Sequence, residues 1–209
     1  MEKYHKINTV FKRDMNSEKK NIILGDWSLP EFKYLQNNIW VLTEKVDGTN
    51  VRIMLKSGVV SIAGKEEKSD LPKTLRQFLI KEFVEKPERL TKVFHGDICM
   101  YCEGYGAGIQ KIGPKYRKDQ DVILIDIRIG PWWLKREDVA KIAKSLNMDV
   151  VPVIKECSLI EAINLVKDGF NSTWGDFSAE GVVATPKVPL FSRDGSRIIT
   201  KIKTRDFNS

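Results

Sequence analysis

Apolar residues along the chain follow two periods, and the switches between them mark out the elements. Trp40 to Thr43 is an apolar run of strand length. Val51 to Leu55 and Val59 to Ala63 flank a turn at Lys56-Ser57-Gly58, the pattern of a β-hairpin. Over 74–85 the spacing predicts a helix with Leu75, Phe78, Leu79 and Phe83 on one face. Val122 to Ile129 is rich in β-branched residues and predicts a buried strand. A second helix is predicted over 135–146, burying Val139, Ile142, Ala143 and Leu146. Ser158 and Glu161 have capping-box spacing for a third, and Gly169 supplies its stop. Gly181 to Ala184 and Arg197 to Lys203 predict two late strands. Residues 1–38 look polar and irregular, with a turn-like Gly25-Asp26-Trp27-Ser28-Leu29-Pro30 segment. Strands dominate and helices are inserted among them, so the expected class is α+β. No repeat, low-complexity stretch or linker divides the chain, and a single domain over 1–209 is expected.

Composition narrows the class. With 42% hydrophobic and 30% charged residues the chain is not mostly disordered. Its longest aliphatic runs, such as Val122-Ile123-Leu124-Ile125, fall far short of the ~20 residues a membrane-spanning helix needs. The charged start, Met1-Glu2-Lys3-Tyr4-His5-Lys6, has no apolar run behind it, so no secretory leader is expected. Three cysteines argue against a disulfide framework and for a reducing cytoplasm, the host's if the chain is phage-encoded. Cys99 and Cys102 have C-x-x-C spacing without a second pair, and are expected as buried strand thiols rather than zinc ligands. Trp132-Trp133 fits either a core position or a surface loop. The net charge of +7 is unevenly spread. Lys111, Lys115, Arg117 and Lys118 fall in eight residues with no acid, and Lys187 to Arg205 holds six basic residues against Asp194. Both stretches suit a polyanionic partner.

Candidate chemistry collects where strands meet glycines. In Thr43-Glu44-Lys45-Val46-Asp47-Gly48-Thr49-Asn50, Lys45 follows a predicted strand and precedes a glycine turn, so its amine is held at a strand end. Glu103 closes an apolar strand beside Gly104-Tyr105-Gly106, and Glu180 heads the strand that begins at Gly181. Asp126 interrupts an aliphatic strand, where a buried carboxylate is costly unless it has a partner. Lys201 and Lys203 alternate about Ile202 and so share a face.

In this order these segments resemble the covalent nucleotidyltransferase superfamily of ATP-dependent RNA and DNA ligases and mRNA capping enzymes. The closer likeness is to phage-type ATP-dependent RNA ligases. Thr43 to Asn50 matches motif I, and Glu103-Gly104-Tyr105-Gly106-Ala107-Gly108-Ile109-Gln110 matches motif III. Ile125-Asp126 matches motif IIIa, Glu180-Gly181-Val182-Val183 motif IV, and Lys201-Ile202-Lys203 motif V. Lys12-Arg13-Asp14 and Lys203-Thr204-Arg205-Asp206-Phe207 are also similar to these ligases.

The resemblance implies a ligase-type nucleotidyltransferase domain, with antiparallel sheets flanked by helices around a nucleotide cleft. It implies an RNA ligase that joins 5′-phosphate to 3′-hydroxyl ends through a lysyl-AMP at Lys45, using ATP and Mg²⁺, with Mn²⁺ as an alternative. Attack needs a neutral amine, whereas a free lysine titrates near ~10.4; Lys201, Lys203 and the metal would favour the neutral form. The same two lysines would balance the charge of the leaving pyrophosphate. Glu103 and Glu180 are the implied metal ligands, with Glu103 alternatively on the ribose hydroxyls. Glu44, Asp47, Asn50, Lys65, Glu103, Ile125, Asp126 and Glu180 are the implied nucleotide-binding residues. Two positions depart from the family. Lys65 stands where arginine is usual and loses a two-pronged grip on phosphate, and Ile125 stands where phenylalanine usually stacks on the base. The rivals are a GTP-dependent capping guanylyltransferase, a DNA ligase and an idle RNA-binding module of the same fold. With the chain ending soon after motif V, no OB or separate C-terminal domain is expected, and further RNA grip would come from a protein partner.

Overall fold

The computed structural model describes residues 3–18, 20–66 and 69–207. In chain order the elements are β1 (Asn8–Thr9), β2 (Phe11–Arg13), β3 (Ile22–Trp27), α1 (Pro30–Tyr34), β4 (Ile39–Glu44), β5 (Thr49–Lys56), β6 (Val59–Ala63) and α2 (Lys73–Leu79). A π-helical turn, Ile80–Val84, continues α2. Next come α3 (Glu88–Thr91), β7 (Ile98–Gly106), α4 (Gly113–Tyr116), β8 (Gln120–Ile129), β9 (Trp132–Trp133) and α5 (Arg136–Ser145). Then come β10 (Val153–Ser158), α6 (Leu159–Asp168), β11 (Gly181–Pro186) and β12 (Thr200–Lys203), followed by a 3-10 turn, Thr204–Asp206. No helix among the described residues is long and apolar enough to cross a membrane.

The chain forms two compact units. One holds His5–Val46 and the chain from Pro152 onward. Its five-stranded sheet runs β1-β12-β11-β4-β10, antiparallel except for the β1–β12 pair. Trp40 and Leu42 from β4, Val182 and Ala184 from β11, and Ile202 from β12 pack with Leu159, Ala162, Ile163 and Val166 of α6. The α6 start is the predicted capping box: Ser158 Oγ accepts from the Glu161 amide, and the Ser158 amide donates to Glu161 Oε2 at 2.9 Å. Such a cap contributes about 1 kcal/mol. Gly169 ends the helix at φ 81°.

The other unit holds Asp47–Val151, with Tyr4 added from the N-terminal segment. Its sheet runs β6-β5-β7-β8-β9 and is antiparallel throughout. Val51, Ile53 and Leu55 of β5, Met100 and Cys102 of β7, and Val122, Leu124 and Ile127 of β8 face a core with Leu75, Leu79, Phe83, Val139 and Ala143. The step from Leu124 to Ile127 departs from period two because β8 bulges there. Tyr101 pairs with Asp126 and Cys102 with Leu124, leaving Ile125 as the extra residue. The bulge turns Asp126 away from the apolar cluster that unbroken alternation would have put it in.

Several expectations change. The described residues up to 38 are not irregular: they hold three strands and α1. These strands are short, and β1 pairs with β12, Asn8 opposite Thr200, a partner too distant in sequence for local pattern to reveal. The helix predicted over 74–85 is α-helical only to Leu79. The strand predicted from Arg197 begins at Thr200. Trp132 is exposed and Trp133 partly buried, both in β9. Cys99, Cys102 and Cys157 are buried free thiols.

Candidate active site

In each sheet one face packs a core and the other carries the candidate residues. On β4 the core-facing Leu42 alternates with Thr43, and the chain leaves the strand end through Lys45, whose amide donates to the Gly181 carbonyl at 2.9 Å. Val183 pairs with both Thr43 and Lys201, and Gly181 pairs with Lys203. Lys201 and Lys203 are partly buried and alternate with the buried Ile202, so both lie opposite the α6 core. Glu180 joins the group from the start of β11. Its Oε2 accepts from Lys45 Nζ at 2.7 Å, and its Oε1 pairs with Lys203 Nζ at 2.9 Å. Lys201 titrates below the ordinary lysine range, first because burial penalises its charge, then because Lys203, Lys45 and Arg13 repel it. Arg13 is fixed by Asp206, 2.6 Å from its Nη2, and by the Lys20 carbonyl, 2.8 Å from Nη1. The arrangement is three amines beside the Glu180 carboxylate, with the Arg13–Asp206 pair alongside, a surplus of positive charge suited to phosphate oxygens.

Glu44 does not join this group. Neighbours on a strand face opposite ways, and Glu44 pairs with the core-facing Val182. It is 1% exposed, and its Oε2 accepts from the amide and hydroxyl of Thr173, both at 2.9 Å. Glu44 thus anchors the loop before Glu180, while its Oε1 is buried with no hydrogen-bond partner.

In the Asp47–Val151 unit the face opposite the core carries Asn50 and Arg52 of β5, Tyr101 and Glu103 of β7, and Asp126 of β8. Asn50 lies opposite Glu103 and donates to its Oε2 at 2.9 Å. Tyr101 lies between Arg52 and Asp126 in the ladder. The partner that Asp126 required is Tyr4, whose hydroxyl donates to Oδ2 at 2.5 Å. The Tyr4 ring packs edge-on against Tyr101 and Trp133, with centroids 5.0 and 5.6 Å away. The Asp47-Gly48 turn is held close to β7: a Cβ on Gly48 would lie 2.1 Å from the Gly104 carbonyl oxygen. The Asp47 amide donates to the Tyr116 hydroxyl at 3.2 Å, and Gln110 Nε2 donates to the Gly48 carbonyl at 3.0 Å. Ile125 is partly buried at the bulge, and Lys65 is exposed just beyond β6.

The candidates therefore fall into two groups: Lys45, Glu180, Lys201 and Lys203 in one unit, and Asp47, Asn50, Glu103, Ile125 and Asp126 in the other. Tyr4, Thr173 and Tyr116 were missed from sequence, because each acts through a partner more than sixty positions away. The unexplained buried acid at 126 was the one signal pointing toward Tyr4. The described residues contain no group of three or more His, Cys, Asp or Glu side chains able to hold a metal alone. Single carboxylates such as Glu180 and Glu103 fit a hard cation that takes its remaining oxygens from substrate and water.

Residues 38–203 match the family model described as RNA ligase. No curated protein matches the chain. Among solved structures, a Naegleria gruberi RNA ligase mutant with AMP and Mn is similar over 85% of this chain and 53% of its own, at 18% identity and a TM-score of 0.66. The Naegleria gruberi RNA ligase with PPi aligns over the same shares at 18% identity, with a TM-score of 0.67. Another mutant of it, with ATP and Mn, aligns over 97% of this chain and 56% of its own, at 17% identity and a TM-score of 0.69. The chain thus spans little more than half the length of these structures. At such identities the likeness establishes the fold, the expected α+β nucleotidyltransferase fold of the ligase type.

Proposed function

Because the chain belongs to the RNA ligase family, we propose that it is an ATP-dependent RNA ligase that works through a covalent lysyl-AMP at Lys45. The observation that carries this reading is the Lys45–Glu180–Lys203 cluster, with Lys201 on the same sheet face. Lys45 loses its proton to water and leaves Glu180, and its nitrogen attacks the α-phosphorus of ATP. The N–P bond forms as the bond to the bridging oxygen breaks, and pyrophosphate departs with that electron pair. Lys201 and Lys203 hold the phosphate oxygens and offset the charge that builds on the leaving group. AMP then passes from Lys45 to an RNA 5′-phosphate, and a 3′-hydroxyl displaces AMP to close the phosphodiester.

Within the Asp47–Val151 unit, Asn50 and Glu103 are of a type that suits a ribose, and Ile125 with Asp126 suits a base. Glu180 in one unit and Glu103 in the other are each a carboxylate of the type that would hold Mg²⁺ or Mn²⁺, which when bound would supply Lewis-acid charge to phosphate oxygens. The single span of the family match, 38–203, crosses both units, which supports treating them as one nucleotidyltransferase domain. The test is incubation with α-³²P-ATP or α-³²P-GTP and Mg²⁺, then with a 5′-phosphorylated RNA. Label from ATP on denatured protein, followed by joined RNA, is expected. Label from GTP alone would replace this reading with a capping guanylyltransferase.

A further inference from the structure

The loop after β7 is a closed structure in its own right. The Ala107 amide donates to the carbonyls of Arg117 and Asp119, at 3.1 and 3.2 Å, and Gln120 Nε2 donates to the Ala107 carbonyl at 2.7 Å. Its base admits only glycine: Gly106 has φ 114°, and a Cβ there would lie 1.9 Å from the Asp119 carbonyl oxygen. A Cβ on Gly113 would lie 2.0 Å from the Gly106 carbonyl oxygen. Inward, Gln110 and Tyr116 contact the Asp47-Gly48 turn.

The basic stretch on this loop divides by role. Arg117 faces its own acids, Asp119 at 2.6 Å and Asp121 at 2.5 Å, and the Asp119 bond first, then the Tyr105 hydroxyl and the Asp121 charge, raise it above the ordinary arginine range. It is structural and unavailable to a ligand, which corrects the expectation that all four basic residues face a polyanion. Lys111 and Lys118 are exposed and make no ion pair or hydrogen bond among the described residues. No large exposed apolar side chain lies on the loop, so its outer surface is charged rather than sticky. A hydrogen-bonded loop offering two exposed amines and no large apolar side chain complements a phosphate backbone better than an apolar protein face.

We propose that the Ala107–Asp119 loop is a rest for the RNA strand. Lys111 and Lys118 take backbone phosphates, while Gln110 and Tyr116 fix the loop, and the RNA on it, relative to the Asp47-Gly48 turn. The inference deepens the RNA ligase reading and names where its substrate strand lies. A fluorescein-labelled single-stranded 20-nucleotide RNA, followed by anisotropy from 50 to 300 mM salt, tests it on the full chain. Lys111→Ala/Lys118→Ala should weaken binding about tenfold at low salt and reduce the log K against log salt slope by about 1.4, two single-strand phosphates. Its melting temperature should match that of the wild type. Affinity and slope unchanged in the folded double variant would overturn the proposal. Self-adenylylation needs no RNA and reports separately on the parent reading. A wild-type chain that takes no AMP defeats that reading, while the anisotropy still decides this one.

Discussion

Lys45 and Lys203 both rest on Glu180, whereas Lys201 stands beside them without such a contact. The difference shapes how the cluster titrates. Lys201 has a folded value below the 10.5 of a free lysine. Between those two values the unfolded chain binds more protons, so this residue makes stability rise with pH across that window and detracts from it below. By ¹³C-ε NMR, Lys201 should titrate below 10.5, and in Lys203→Ala its midpoint should move up as one repelling cation is removed. A wild-type midpoint at or above 10.5 would contradict the cluster's geometry. Tyr4 makes a second residue-scale claim. Tyr4→Phe keeps the ring packing on Tyr101 and Trp133 but deprives the buried Asp126 of a donor, at a cost of about 1–3 kcal/mol. A lower melting temperature and a raised KM for ATP are expected. A variant indistinguishable in both would separate Tyr4 from the nucleotide site.

Strand alternation sorts core from chemistry at the scale of the element, and the β8 bulge is the place where it is interrupted. The bulge removes Asp126 from the core face and leaves Ile125 as the unpaired residue where a base contact is proposed. Ile125→Phe should restore an aromatic face, worth ~0.5–1.5 kcal/mol, and lower the KM for ATP in self-adenylylation by up to about tenfold. A folded Ile125→Phe chain with unchanged ATP affinity would remove Ile125 from the base site. The bulge itself was not legible, since Val122 to Ile129 reads as one β-branched run whichever residue is extra. The α6 cap was legible in full because Ser158, Glu161 and Gly169 act within one turn of their partners. The ends of α2 and β12 were not, because the same apolar spacing fits an α-helix, a π turn or an extended lead-in.

On the scale of the whole molecule, the residues that could be read from sequence are those whose chemistry is exceptional for their place: a lysine before a glycine turn, acids at strand heads, paired lysines on one face. The structure places Lys45, Glu180 and Lys203 in contact, as such a pattern suggests. It separates Glu44 from them, because strand alternation outranks sequence adjacency. It also shows what charge counting misses, since Arg117 looks like its basic neighbours until Asp119 and Asp121 are seen to hold it. In the proposed reaction this cluster makes Lys45 a nucleophile toward ATP. The most direct test is to incubate the full chain with α-³²P-ATP and Mg²⁺, denature it, and map the labelled peptide by mass spectrometry. One acid-labile AMP on Lys45 is expected, absent from Lys45→Ala and not restored by Lys45→Arg, whose guanidinium stays protonated. Undiminished labelling of a folded Lys45→Ala chain would contradict it.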